Sequence, residues 1–405
     1  MNANISTSAT PQKRPRQEVA GWFACDAEIN QIHKRGNSTL ARGAFGEISV
    51  AIDTKRNQLV VVKTIPQAVT GGFGAPKKQL SQEVCNEIMA LRILSDHPNI
   101  VSFLGLTTSS NEMMPSALCL VFDYCPMDLH TVMTRRRASL PFDTIRFITK
   151  EMLSALRHCH LNGIIHRDVT PKNFLISPQG RIWLCDFGLA KPCPHLLEGE
   201  AMGESEDKDD SKALCTLYYR PPEILLGGPA VHDSVDMYSC GLVIAELVTG
   251  RPLFAGKNVL DQLHRTFQIL GTPSATEGWV EKLRDFAKVS FRHYDPQPLE
   301  NVLPRADECS DLMALLKCLI VLNPSQRISA TAALTQKYCH SIPIALSAID
   351  LIPTECKSVL FSNSSLEIAE QEALSLAAVR RTWNNKQEYS LDDGARSLDE
   401  VLQRQ

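Results

Sequence analysis

The chain has 405 residues, 44% apolar and 21% charged, with a net charge of −3. That length holds two or three average domains or one bilobal enzyme with tails, and the near-neutral charge excludes a general attraction to nucleic acid or membranes. Thirteen cysteines, with no Cys-x-x-Cys pair, read as reduced intracellular thiols rather than a disulfide framework or a zinc site. His158, Cys159 and His160 are adjacent on a predicted helix and point in different directions, so a partly buried helical face is expected there instead of a metal cluster.

Residues 1–32 are polar in their first half and read as a flexible leader. Its basic group Lys13-Arg14-Pro15-Arg16 is a solvated tail or, alternatively, a nuclear-import signal. No signal-peptide core opens the sequence, and no run approaches the ~18 apolar residues of a membrane span, so a soluble chain is expected.

Folding pattern starts after the leader and is expected to occupy residues 33–345. The run Leu40-Ala41-Arg42-Gly43-Ala44-Phe45-Gly46 is glycine-rich and precedes two β-like runs, Glu47 to Ile52 and Leu59 to Val62, with turn residues Asp53 to Asn57 between them. Lys63 closes the second strand. Apolar spacing then predicts a helix over 78–94 that stops before His97-Pro98-Asn99, and a short strand from Leu118 to Phe122. Helical patterns follow at 142–161, 234–250, 258–270 and 309–321. A β-rich part thus precedes an α-rich part, an α+β arrangement. Residues 346–405 turn polar after Pro353 and read as a loosely attached tail, helix-like from Leu366 to Trp383.

The chemistry is concentrated in His166-Arg167-Asp168-Val169-Thr170-Pro171-Lys172-Asn173 and, further on, Asp186-Phe187-Gly188. An acid able to orient a hydroxyl, an amide five residues later and a second acid before Phe-Gly are what phosphoryl transfer from ATP with metal ions needs. The glycines of the earlier run let a backbone approach phosphates. Lys63 and Glu87 stand in the order of an ion pair that holds a phosphate-gripping lysine in place. Each of these signals alone has a bland reading, a hairpin turn or a surface charge; in this order they point to catalysis.

On these motifs the chain resembles a eukaryotic protein kinase of the cyclin-dependent type over about residues 34–345. Glu87-Ile88, His97 to Val101, Leu120 to Tyr124, Asp128-Leu129 and Thr216 to Arg220 sit where that family has similar segments. Pro252 to Asn258, Ile269 to Pro273 and Pro298 to Pro304 most resemble the cell-cycle-related kinase branch. The resemblance implies a bilobal fold, with a small β-rich N-lobe and a larger α-helical C-lobe, and ATP and Mg²⁺ as cofactors. Asp168 would orient the substrate hydroxyl, and Asn173 and Asp186 would hold Mg²⁺. Leu40, Gly43, Gly46, Ile48, Val61, Phe122, Asp123, Cys125 and Leu175 would surround the nucleotide, the backbone from Asp123 to Cys125 meeting the base edge. Leu91, Phe103, His166 and Phe187 would stack between the lobes, anchored by Asp236.

Further implications concern specificity and regulation. Thr216 and Arg220 resemble the segment associated with proline after the target Ser or Thr, and Arg327 would pair with Glu223 as a structural link. Ser211 takes the place of an activating phosphorylation site, with Arg167 as its retained receptor; the other two receptor positions hold Asn86 and Lys191. Seven acidic residues from Glu198 to Asp210 precede it, either ordering the loop without phosphate, leaving phosphorylation to activate, or forming a plain insertion. A cyclin-like activator is a possible partner, against which the departure of residues 79–86 from the familiar helix signature counts. Thr170 stands where a lysine is usual, and Ala41 replaces the first of three glycines. Lys172 is a candidate substitute for the missing charge. The reading is an active Ser/Thr kinase; the alternatives are a pseudokinase scaffold and a small-molecule phosphotransferase.

Overall fold

The computed structural model describes residues 32–33, 39–43, 46–65, 80–111, 114–136, 139–193, 216–229, 232–340 and 347–352. The leader, Ser211 with its acidic run and the tail helix pattern lie outside them.

Two runs of aliphatic residues build the first lobe. The strands β1 (Ile32–His33) and β2 (Thr39–Gly43) both pair with β3 (Gly46–Asp53), which pairs with β4 (Gln58–Ile65). The sheet continues through β6 (Met114–Asp123) to β5 (Phe103–Asn111), and every pairing is antiparallel. Between β3 and β4, the Asp53 carboxylate accepts the Lys55 and Arg56 amides at 3.0 Å each, which fixes the expected turn.

The glycine-rich run 40–46, expected as a loop, begins as a strand: residues up to Gly43 belong to β2, where Gly43 pairs with Gly46 of β3. Only glycine suits position 46: its φ is 131°, and a Cβ there would lie 2.3 Å from the Thr64 carbonyl oxygen. Strand side chains alternate, and the register places Ile48, Val50, Val61, Lys63, Leu120 and Phe122 on one face. Helix α1 (Gln82–Leu94) buries Glu87, Ile88, Leu91 and Leu94. It begins later than the apolar spacing predicts because Ser81 caps it, accepting the Val84 amide at 3.4 Å.

The second lobe is built on α2 (Leu129–Arg136), α3 (Phe142–Leu161), α4 (Ser234–Thr249), α5 (Val259–Leu270) and α6 (Ser310–Leu319). Every residue of α4 from Ser234 to Val248 is buried, so it is the lobe's central post. Five short strands escaped the sequence reading: β7 (Met127–Asp128), β8 (Ile164–Ile165), β9 (Phe174–Ile176), β10 (Ile182–Leu184) and β11 (Lys191–Pro192). They are too brief to show periodicity, yet they position the chemistry. The pairs β9–β10 and β8–β11 suspend residues 166–173 and 185–190 as two adjacent loops.

His97-Pro98-Asn99 ties the lobes together. The Asn99 amide donates to Glu151 on α3 at 2.6 Å and to the Ile182 carbonyl at 3.0 Å, and Val101 N–H reaches Leu184 O at 2.9 Å. Lower down, Arg327 grips Glu223 with both terminal nitrogens at 2.6 and 2.7 Å, as expected, while donating to three backbone carbonyls. Residues 347–352 pack onto the β9–β10 turn, Ala348 N–H donating to Gly180 O at 2.9 Å, so the chain stays attached beyond residue 345.

Candidate active site

The loop 166–173 is held from below by one carboxylate. Asp236, fully buried on α4, accepts the His166 and Arg167 amides at 2.9 and 2.8 Å and bonds His160 Nε2 at 2.9 Å. His160 is therefore an anchor on a helix face, and no group of three or more metal-binding side chains exists among the described residues. Arg167 is left-handed, φ 67°, a conformation that costs a non-glycine residue energy and persists only when its surroundings impose it. His166 Nδ1 accepts the Asp168 amide at 3.2 Å, so Nε2 carries the proton and donates to Cys185 O at 2.9 Å. That bond joins the two loops.

Asp168 is clasped on both sides. Its Oδ2 accepts Asn173 Nδ2 at 2.8 Å, and its Oδ1 accepts the Thr216 amide and hydroxyl at 3.0 and 3.2 Å. Sequence reasoning gave Asn173 and Thr216 other tasks and missed this one; Thr216, 48 positions from Asp168, carries no spacing signal.

The second constellation centres on Lys63. Its Nζ lies 2.6 Å from Glu87 Oε1 and 3.2 Å from Asp186 Oδ1. Burial pulls the Lys63 pKa down, but Asp186 and Glu87 outweigh it and leave the ammonium above its ordinary value. Burial raises Glu87, with Lys63 opposing. For Asp186 burial also acts upward, but Lys63 prevails and holds the carboxyl below the usual range. Asp186 is left-handed, φ 59°, and its side chain is 45% exposed, so the strained backbone turns the carboxylate toward the cleft. Phe187 is fully buried against His166, ring centroids 5.0 Å apart, and Phe103 meets Phe122 at 5.5 Å. The lower part of the expected inter-lobe stack, Phe187 on His166 above Asp236, is present.

Several residues expected around the nucleotide share an apolar cluster or a strand register. Leu40 and Val61 pack with Val50 and Tyr124; Val61 pairs with Phe122, Ile48 with Lys63, and Leu175 with Asp128. Cys125 is buried. The Asp123 amide donates to Ser102 O at 3.1 Å and its carboxylate accepts from Gln58 at 3.2 Å.

A protein kinase domain matches residues 35–339. The chain belongs to the protein kinase family. This kinase is 34% identical over 301 residues to cell division control protein 2 homolog 3 of Trypanosoma brucei brucei, covering 73% of the chain and 88% of the relative. It is 31% identical over 303 residues to cyclin-dependent kinase 4 of Mus musculus, 74% of the chain and 93% of the relative. With a probable serine/threonine-protein kinase of Arabidopsis thaliana it shares 29% over 357 residues, 84% of the chain but 57% of that protein. The kinase is of the cyclin-dependent type, a serine/threonine ATP-binding transferase.

Remaining predicted residues fall around this core. Thr170 is 3% exposed, so it lies in the loop wall. Lys172 is exposed, and its charge, second to burial, lowers the pKa of His130 on α2. Thr216 and Arg220 flank a turn fixed by Tyr219, whose hydroxyl donates to Glu246 at 2.5 Å and whose carbonyl accepts Ser239 Oγ at 2.8 Å. Arg167 and Lys191 both bear on the Cys193 thiol, which burial pushes up to about 11 against their pull. Asn86, the third receptor position, bonds Gln82 at 2.9 Å.

Proposed function

We propose that this kinase transfers the ATP γ-phosphoryl group to Ser or Thr hydroxyls of proteins and favours proline after the acceptor. The observation that carries the reading is the simultaneous pairing of Lys63 with Glu87 and Asp186, beside an Asp168 held on both oxygens. Lys63, kept charged and in place by Glu87, suits the α and β phosphates. Asp168 would accept the hydroxyl proton, and its clasp by Asn173 and Thr216 fixes its carboxylate plane before substrate arrives.

Asn173 Oδ1 and Asp186 Oδ2 take no hydrogen bond from the described residues, and such hard oxygens suit Mg²⁺. Those two residues would hold it, and the ion when bound neutralises phosphate charge. Proline lacks an N–H to satisfy, which fits a Thr216–Arg220 wall whose polar groups are already engaged.

The scaffold reading draws on Thr170. A lysine there would add a positive charge, and deleting one preorganised donor costs about 2.7–4 kcal/mol of transition-state stabilisation. That slows turnover without removing any acid or ion pair. Peptides differing only in Ser-Pro against Ser-Ala, with phosphate incorporation read by mass, test the proposal. Preferential labelling of Ser-Pro supports it, equal labelling rejects the proline preference, and no labelling of either favours the scaffold.

A further inference from the structure

Asp168 divides its surroundings into two sides. One oxygen is bound by Thr216, which opens the segment running to Arg220; the other is bound by Asn173, which ends the turn Pro171–Asn173. An acceptor residue at Asp168 with its following proline against Thr216–Arg220 therefore sends its preceding residues across Pro171–Asn173 toward α2, which packs against that turn.

That side is basic. Lys172 is exposed, one residue from Asn173, and forms no ion pair among the described residues. Arg136 is exposed at the end of α2. On α2, burial first, and the Lys172 ammonium second, hold the His130 pKa below its ordinary value, with Asp128 opposing. Asp128 itself is committed to the start of α2, accepting Thr131 N and Oγ1 at 2.7 and 2.8 Å. An arriving carboxylate meets an ammonium with no such partner to displace.

We propose that Lys172 reads an acidic residue two or three places before the acceptor, so that the substrates are acidic Ser/Thr-Pro sequences. This rests on the kinase reading given above. An extended peptide spans about 3.3–3.6 Å per residue and consecutive Cα atoms are about 3.8 Å apart. With Asn173 touching Asp168 and Lys172 adjacent to it, a lysine stem reaches that part of the peptide. Thr170, uncharged and buried, cannot do the same.

The test compares three Ser-Pro peptides carrying Glu, Gln or Arg at both positions, with full-length wild type, Lys172→Gln and Lys172→Glu. Turnover and binding, by fluorescence anisotropy of labelled peptides, are read side by side at low and high salt. Surface pairs of this kind are worth a few-fold each. Wild type should prefer Glu over Gln by about threefold in kcat/KM, mainly through KM and less at high salt. Lys172→Gln should flatten the series and Lys172→Glu should invert it toward Arg. An unchanged Glu preference in Lys172→Glu, or none in wild type, overturns the proposal while leaving the kinase reading intact. Absence of turnover on every peptide, with charge-ordered binding that inverts in Lys172→Glu, condemns the kinase reading and keeps the acidic site.

Discussion

Replacing Asp236 by Asn tests how far the buried anchor governs the catalytic loop. The carboxylate serves three donors, His166 N, Arg167 N and His160 Nε2. An amide has one acceptor oxygen. If that oxygen keeps His166 and His160, its NH₂ group faces the Arg167 N–H, donor against donor. One charge-assisted bond worth about 1.5–3 kcal/mol is lost, and a buried backbone donor left unpaired costs about 1–3 kcal/mol more. The sum, about 2.5–6 kcal/mol, should appear as lost stability in denaturant unfolding. Arg167, whose left-handed backbone is held by that same bond, should relax. Misplacement of about 1 Å costs on the order of 100-fold, so kcat should fall by that factor. The KM for ATP should change little, because Lys63 and Asp186 are held by other contacts. Stability within about 1 kcal/mol of wild type, together with an unchanged kcat, would refute the reasoning.

Two further outcomes are expected. Thr170→Lys should raise kcat by about tenfold or more if the missing charge limits transfer; steady-state kinetics showing equal or slower turnover would count against that account. Glu246, whose pKa burial pushes up to about 7 from 4.5 with the Tyr219 hydroxyl opposing, should make stability depend on pH. A folded pKa above the unfolded one means the contribution is fully present below about 4.5 and is lost as pH rises through about 7. The loss amounts to about 3 kcal/mol, and Glu246→Gln should remove that slope in unfolding curves taken across the window. A slope preserved in the variant would place the titration elsewhere.

Long periodic elements were readable from the residues alone. The helix expected at 142–161 is Phe142–Leu161, and that expected at 234–250 is Ser234–Thr249, because sustained burial of one face or of the whole helix writes itself into apolar spacing. Strand β5 was not foreseen: Phe103–Asn111 holds Gly105, two threonines and two serines, with irregular register at both ends, so no alternation survives. Within the site, Lys63 and Glu87 could be paired by their order along the chain, and the structure brings them within hydrogen-bond reach, with Asp186 as a second partner of Lys63 that the sequence did not show. What stayed hidden was which partner each polar atom takes. Asn173 and Thr216 on Asp168, and Ser102 on the Asp123 amide, depend on how separate loops meet in space.

The most direct measurement is phosphate transfer from γ-labelled ATP, with Mg²⁺, to a Ser-Pro peptide by wild type and Asp186→Asn purified in parallel. Both proteins should be shown to melt alike. Removing one anionic oxygen from the Lys63–Glu87–Asp186 cluster leaves the fold's other contacts in place. The account predicts steady labelling by wild type and none above background by the variant. Equal labelling by both, or none by wild type, would contradict it.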